Sequence, residues 1–196
     1  MLTIYFVTSN PEKLKDFEEV QRRFKGLSMS GEQYNDLPEV LGSSCTDLIE
    51  KKALAAFEHF RRPIVVDHAS LQISRFNGLP GPASKPFWAA IGPQLYDILS
   101  KLAADEEDQA VFAATVRVDV SYCDARRIIS DFAEVRGVIV RPSGSRFDWD
   151  QSFSPDGARG QSYADMDAPT KYQYSARSKA FEKLLTQLKT HGVSWR

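Results

Sequence analysis

Hydrophobic and polar positions along this chain switch between two periods, and each switch marks an element. Residues 2–7 form an apolar run rich in β-formers, which predicts a buried strand. Asn10 then offers a helix N-cap, Pro11 suits the first helical position, and Glu12 suits the positive helix end. Leu14, Phe17, Val20 and Phe24 recur at helical spacing, so a helix is predicted from Pro11 to about Phe24. Residues 27–36 are ambiguous, with a strand ending near Tyr34 as the reading; 36–39 and 42–44 carry loop chemistry. Asp47 begins a second helical pattern, with Ile49, Ala53, Ala56, Phe57 and Phe60 on one face, until Pro63 stops it. Ile64, Val65 and Val66 predict a buried strand that ends in Asp67-His68.

The second half continues in the same alternation. Gly78-Leu79-Pro80-Gly81-Pro82 reads as a rigid turn. Residues 86–103 predict one or two helices broken at Gly92-Pro93, with Leu95, Ile98, Leu99 and Leu102 inward. Phe112, Ala114, Val116, Val118, Val120 and Tyr122 alternate strictly, which predicts a long half-buried strand. Residues 123–126 turn it, and 128–140 return antiparallel with Gly137 as a bulge or bend, so the sheet is mixed. A helical turn is predicted at 163–166. The last helix is expected to start at Ser175 and to run through Ala180, Phe181, Leu184 and Leu188 to Gly192. At 196 residues, this α/β pattern suits one domain, or two lobes sharing one sheet.

One stretch resists both periods. Residues 147–157 read FDWDQSFSPDG, with aromatics, acids, a proline and a glycine crowded together, and are expected to be a loop. Phe147, Trp149 and Phe153 either pack onto the core or line a ligand pocket, where aromatic faces beside carboxylates hold a flat base. Two junctions carry candidate chemistry. Thr8, Ser9, Asn10 and Lys13 lie where a strand meets a helix N-terminus, either an anion site or an ordinary capped helix. Asp67 and His68 could serve as metal ligand and base at a strand end, or Asp67 could cap a turn. Asp47, Glu50, Lys51 and Lys52 on their own read as a solvated helix start. His59 and His191 read as surface residues.

Composition narrows the partners. The chain is 42% hydrophobic and 26% charged, ordinary for a soluble globular protein that needs no staples. A formal net charge of −1 gives no global field for a nucleic acid polymer. No apolar run approaches the roughly 20 residues that span a bilayer, and the opening residues lack a basic leader, so neither a membrane segment nor a signal peptide is expected. Cys45 and Cys123 are too few for a disulfide framework or a zinc site and read as free thiols in a reducing cytoplasm.

Together the junctions resemble the inosine triphosphate pyrophosphatase family, the non-canonical purine nucleoside triphosphate pyrophosphohydrolases. The resemblance spans nearly the whole chain in order: Thr8-Ser9-Asn10 with Lys13; Asp67; Gly78-Leu79-Pro80-Gly81-Pro82; Phe147-Asp148-Trp149-Asp150; Phe153-Ser154-Pro155-Asp156-Gly157; and Lys171 followed by Ser175-Ala176-Arg177. It implies an α/β fold with a long mixed central sheet and flanking helices, in two lobes with the active-site cleft between them, as a homodimer. It implies hydrolysis of a nucleoside triphosphate to monophosphate and pyrophosphate with magnesium, which manganese could replace. By the same resemblance, Asn10, Lys13 and Lys52 hold phosphates, and Thr8 and Ser9 line that junction. Asp47 and Asp67 hold the metal, and Asp67 or His68 helps to activate water. Phe147 and Trp149 bound the base, Asp150 reads its edge, and Lys171, Ser175 and Arg177 close over it.

Three departures stand out. His68 occupies the place of the family's second, catalytic acid; Ala176 replaces a histidine of the base pocket; and Asp148 replaces a glycine. A donor is lost and an acceptor gained, so the base specificity is expected to move from a 6-oxopurine toward an amino-bearing base. The alternatives are a non-catalytic nucleotide-binding relative, or a phosphohydrolase of changed reaction.

Overall fold

A computed structural model describes residues 3–24, 28–35, 37, 44–106, 112–144 and 148–193. Among these, the chain forms seven strands and six helices: β1 (Thr3–Thr8), α1 (Pro11–Arg23), β2 (Ser28–Gln33), α2 (Cys45–Phe60), β3 (Ile64–Ile73), β4 (Pro80–Gly81), α3 (Ser84–Ile91), α4 (Leu95–Glu106), β5 (Ala113–Cys123), β6 (Ile128–Ile139), β7 (Phe153–Pro155), α5 (Ala168–Tyr174) and α6 (Ala176–Thr190). The strands make one sheet in the order β2-β1-β3-β5-β6-β7, with β4 on β3. β1 pairs parallel with β2 and β3, whereas β4 on β3 and β7 on β6 are antiparallel, so the sheet is mixed as expected. No helix of the described residues is long and apolar enough to cross a membrane.

The residues divide into two compact units. The first holds 1–68, 118–133 and 177–196; the second holds 69–117 and 134–176. In the first unit, α1 starts where the sequence predicts, because Asn10 Oδ1 accepts the Glu12 backbone N–H at 2.9 Å and Pro11 needs no such partner. α1 and α6 cover one face of β1: Phe6 stacks on Phe17 at 4.4 Å and meets Phe181 edge-on at 5.4 Å. α2 covers the other face, where Ile49, Ala53 and Ala56 pack with Val7, Ile64, Val66 and Cys123. Because successive strand residues point to opposite faces, β3 presents Asp67 on the α1 and α6 side and His68 on the α2 side.

Several boundaries differ from the sequence pattern. α2 starts at Cys45, capped by the Ser44 hydroxyl, one short turn before Asp47. β3 does not end at Asp67-His68 but continues to Ile73, with Leu71 and Ile73 fully buried. Ser84 fixes this extension, accepting the Leu71 N–H at 2.7 Å and donating to Gly81 O at 2.6 Å. β5 is half-buried only at its start; from Val118 to Cys123 both faces are buried.

The aromatic stretch is also not a plain loop. Asp148–Gln151 is a 3-10 turn and Phe153–Pro155 is β7, with Pro155 tolerated because β7 is an edge strand. Phe153 is fully buried and Trp149 is 7% exposed, so both pack inward. On its β7 side Gly137 makes no bulge. It pairs in register with Pro155, and a Cβ there would lie 2.2 Å from Ser154 O and 2.8 Å from Phe153 Cζ. Gly137→Ala is therefore expected to cost about 1–3 kcal/mol by overpacking, read by urea denaturation; an unchanged midpoint would refute that packing.

Candidate active site

The first unit gathers cations around one buried carboxylate. Asp67 is fully buried, and Lys13 Nζ donates to its Oδ1 at 2.9 Å while Arg177 Nε donates to its Oδ2 at 3.0 Å. Lys52, 6% exposed, crosses from α2 to donate to the Asp67 carbonyl oxygen at 3.0 Å. Arg177 also pairs with Asp16, one turn beyond Lys13 on α1. Burial alone would raise the Asp67 pKa, but Lys13, Arg177 and Lys52 outweigh it and hold the carboxyl well below the usual range. Here a buried charge is offset by partners from three helices, the condition under which it persists.

The β1–α1 junction is built tightly. The Asn10 N–H bonds Thr8 Oγ1 at 3.2 Å, and the Lys13 N–H bonds Asn10 O at 3.1 Å. The Thr8 and Asn10 side chains thus shape the β1–α1 turn, which aims Lys13 at Asp67. Ser9 is half-buried beside them.

His68 sits on the opposite face of β3 and is half-buried. Its Nε2 is buried without a hydrogen-bond partner. Burial, then the charges of Lys13 and Lys52, push its pKa down to about 4, against the opposing pull of Asp67 and Asp119. The imidazole is therefore neutral at pH 7. A folded pKa below the ordinary value of 6.5 means that the unfolded chain binds the extra proton between pH 6.5 and 4. Stability is then full above pH 6.5 and falls as pH drops toward 4, by roughly 2–3 kcal/mol at pH 4.5. Denaturant titrations of wild type and His68→Gln at pH 7 and 4.5 test this; the extra loss should vanish in the variant.

In the second unit, residues from the aromatic stretch meet α5. Asp150, on the 3-10 turn, accepts from Lys171 Nζ at 2.6 Å, and Lys171 is only 5% exposed. Lys171 Nζ also lies 5.9 Å from the Tyr163 ring centroid. The helix that carries it is set by Asp167, whose Oδ1 accepts the Thr170 N–H at 2.8 Å. Trp149 meets Trp88 edge-on at 6.5 Å. Ser175 ends α5 instead of merely capping the last helix, and α5 was not evident from the sequence. Ala176, 1% exposed, follows at once as the first residue of α6. Phe147 and the Asp148 side chain lie outside the described residues.

A profile of the Ham1 family matches residues 4–187. The chain belongs to the Ham1 family. Relatives with this fold length bear names that state an activity. Inosine triphosphate pyrophosphatase 2 of Trypanosoma cruzi (strain CL Brener) is 32% identical over 191 residues, covering 96% of this chain and 91% of the relative. Inosine triphosphate pyrophosphatase of Giardia intestinalis (strain ATCC 50803 / WB clone C6) is 33% identical over 197 residues, covering 98% and 95%. Among solved structures, a HAM1 protein from Coxiella burnetii superposes with a TM-score of 0.74 at 24% identity, covering 97% of this chain and 100% of that one. This likeness establishes the α/β fold with its central sheet and flanking helices.

Within this Ham1 protein, the geometry joins Lys13, Lys52, Asp67 and Arg177 directly, and Asp150 with Lys171 separately. Asp47 is exposed in the first turn of α2. Among the described residues no group of three or more His, Cys, Asp or Glu could hold a metal ion. Both Asp67 oxygens already face cations. Magnesium usually arrives with phosphate oxygens and takes one or two carboxylates from the protein instead of an all-protein cage. Sequence reasoning missed Asp16 and Asp119. Asp16 follows Lys13 at helical spacing, and Asp119 interrupts Val118 and Val120 on the strand face taken to be solvated.

Proposed function

We propose that this protein hydrolyses a purine nucleoside or deoxynucleoside triphosphate to monophosphate and pyrophosphate. The observation that carries the reading is the cluster of Lys13, Lys52 and Arg177 around Asp67. Cations gathered around one buried carboxylate, with Asp16 also on Arg177, are prepared for a polyanion, since a triphosphate can take over the charge that Asp67 balances. The names of the relatives support the same reaction. In this reading, Asn10, Lys13 and Lys52 hold the phosphates. Asp47 and Asp67 are the carboxylates for magnesium, which supplies charge neutralisation on the phosphates when bound.

The neutral His68 accepts a proton from water at Nε2 as the water oxygen bonds to phosphorus and the α–β anhydride bond breaks. Lys13 and Lys52 meet the charge that develops on the departing oxygen. At the base end, Lys171 already neutralises Asp150, so Asp148 is an added acceptor and Ala176 offers no donor. The base is accordingly read as an amino-bearing one and not a 6-oxopurine. The reading also carries assembly as a homodimer, which light scattering measures.

The test is a pyrophosphate- and phosphate-release screen with magnesium and with manganese. It runs over inosine, xanthosine and the common ribo- and deoxyribonucleoside triphosphates, with His68→Asp alongside. Pyrophosphate from an amino-bearing nucleotide with wild type is expected. Strong preference for inosine or xanthosine triphosphate would reject the shifted specificity. Silence from wild type with activity in His68→Asp would make the protein a nucleotide-binding relative.

A further inference from the structure

One exposed carboxylate in the second unit collects more donors than its own turn needs. Asp165 ends the 3-10 turn Tyr163–Asp165 and closes a capping box with Ser162. Its Oδ2 accepts the Ser162 hydroxyl at 2.7 Å and the Ser162 N–H at 3.2 Å. The same oxygen accepts a third donor from another part of the chain, the Ser143 hydroxyl, at 2.7 Å. The two hydroxyls lie 2.9 Å apart and converge on one ionised acceptor, which makes their bonds charge-assisted.

Ser143 stands at a neck. The pairing of β6 with β7 runs on past Ile139 and Phe153: the Val140 N–H donates to Ser152 O at 2.8 Å, and the Ser143 N–H to Gln151 O at 3.0 Å. Residues 144–150 lie between Ser143 and Gln151 in sequence, Trp149 and Asp150 among them. The neck is fitted to its surroundings on both sides. The Arg141 guanidinium lies over the Tyr96 ring of α4, 5.0 Å from its centroid. Gly144, at φ +70°, passes so close to the 3-10 turn that a Cβ there would lie 3.0 Å from Ala164 Cβ.

The same turn reaches the cation that Asp150 holds. Tyr163, 3% exposed, donates its hydroxyl to Tyr174 O at the end of α5 at 3.2 Å, and its ring centroid lies 5.9 Å from Lys171 Nζ. Asp165 therefore links the two halves of the Asp150–Lys171 pair, the neck through Ser143 and α5 through the turn that carries Tyr163. A link of this kind sets the spacing of the pair in advance, so that a ligand need not order it on binding.

We propose that Asp165 and Ser143 are positioning residues for the base end, a clasp that holds the segment carrying Trp149 and Asp150 against α5 and so sets which base is accepted. The proposal rests on the hydrolytic reading above, with Trp149 and Asp150 as groups that meet the base. Asp165 and Ser143 act through that segment and take no part in the bond-making steps.

The test is Ser143→Ala, which deletes the link and leaves the Ser162–Asp165 capping box whole, beside Asp165→Asn, whose amide oxygen can still accept. With the nucleotide found by the screen, Ser143→Ala should raise KM about tenfold, the lower end of what one hydrogen bond to a charged group contributes. Its kcat should stay within about twofold, and its selectivity over the next-best nucleotide should shrink. Asp165→Asn should raise KM by no more than Ser143→Ala does. Inhibition by inorganic tripolyphosphate, which has no base, should be unchanged in both variants. An unchanged KM in Ser143→Ala, or an equal weakening of tripolyphosphate and nucleotide, overturns the proposal.

A second arm needs no turnover. Amide hydrogen exchange reads the neck at Val140 and Ser152, whose N–H groups bond Ser152 O and Trp149 O. Ser143→Ala should speed exchange at both by about tenfold, again the scale of one such hydrogen bond. Asp156, whose N–H bonds Arg136 O, should keep its rate. If no nucleotide is hydrolysed, the hydrolytic reading fails and this arm alone decides: unchanged exchange at Val140 and Ser152 rejects the clasp, faster exchange retains it.

Discussion

Asp67→Asn is expected to lose about 3–5 kcal/mol of stability, the usual cost of breaking a buried ion pair from one side. Its activity should fall by about 10³-fold or more. The reason is local. Asp67 has 1% side-chain exposure and holds Lys13 and Arg177 by one oxygen each, while Lys52 leans on its carbonyl. Asparagine keeps the size but removes the charge that those cations balance, and its amide N–H groups point donors at donors. The loss should be smaller when inorganic pyrophosphate is present, because the anion supplies the missing charge and binds the folded state alone. Thermal melting with and without pyrophosphate reads both effects. A variant as stable as wild type would mean that the cluster is held by something other than Asp67.

The second large effect is expected at the Asp150–Lys171 pair. Lys171→Met leaves Asp150 with its cation gone beside a buried turn, and should destabilise by roughly 3 kcal/mol. The pair is 2.6 Å long, with side-chain exposures of 7% for Lys171 and 21% for Asp150. Adding Asp150→Asn to Lys171→Met should return much of that stability, since the uncompensated charge is then removed. It should not return nucleotide affinity if these groups read the base. Recovery of both stability and KM in the double variant would make the pair structural only. Failure to recover stability would mean that Lys171 matters mainly through its packing near Tyr163.

Several parts of the structure were legible because independent local signals agreed. α1 combines a capping asparagine, a proline at its first position and a helical apolar stripe, and it forms where these place it. The break at Gly92-Pro93 between α3 and α4 was equally plain. Lys13, Lys52, Asp67 and Arg177 were each identified as candidates, although only the fold brings them together.

What was not legible depended on distant partners. Asp67, His68 and Ser70 interrupt the apolar run, so β3 looked finished. In the structure, Lys13 and Arg177 compensate Asp67, and the strand runs on to Ile73. Asp119 looked like a solvent-facing residue of a half-buried strand, because nothing in its own neighbourhood announces that α2 covers that face. Gly137 looked like a bulge, but its missing side chain admits Phe153 and the β7 backbone. The same packing buries two of the three aromatics of residues 147–157, Trp149 and Phe153, that could equally have lined a pocket.

The most direct measurement is 31P NMR of the products formed by wild-type protein from the nucleoside triphosphate that it binds most tightly, with magnesium. The account predicts that nucleoside monophosphate and pyrophosphate appear together in equal amounts, and that Lys13→Ala and Lys52→Ala slow both alike. Nucleoside diphosphate with orthophosphate, or an undiminished rate in both lysine variants, would contradict it.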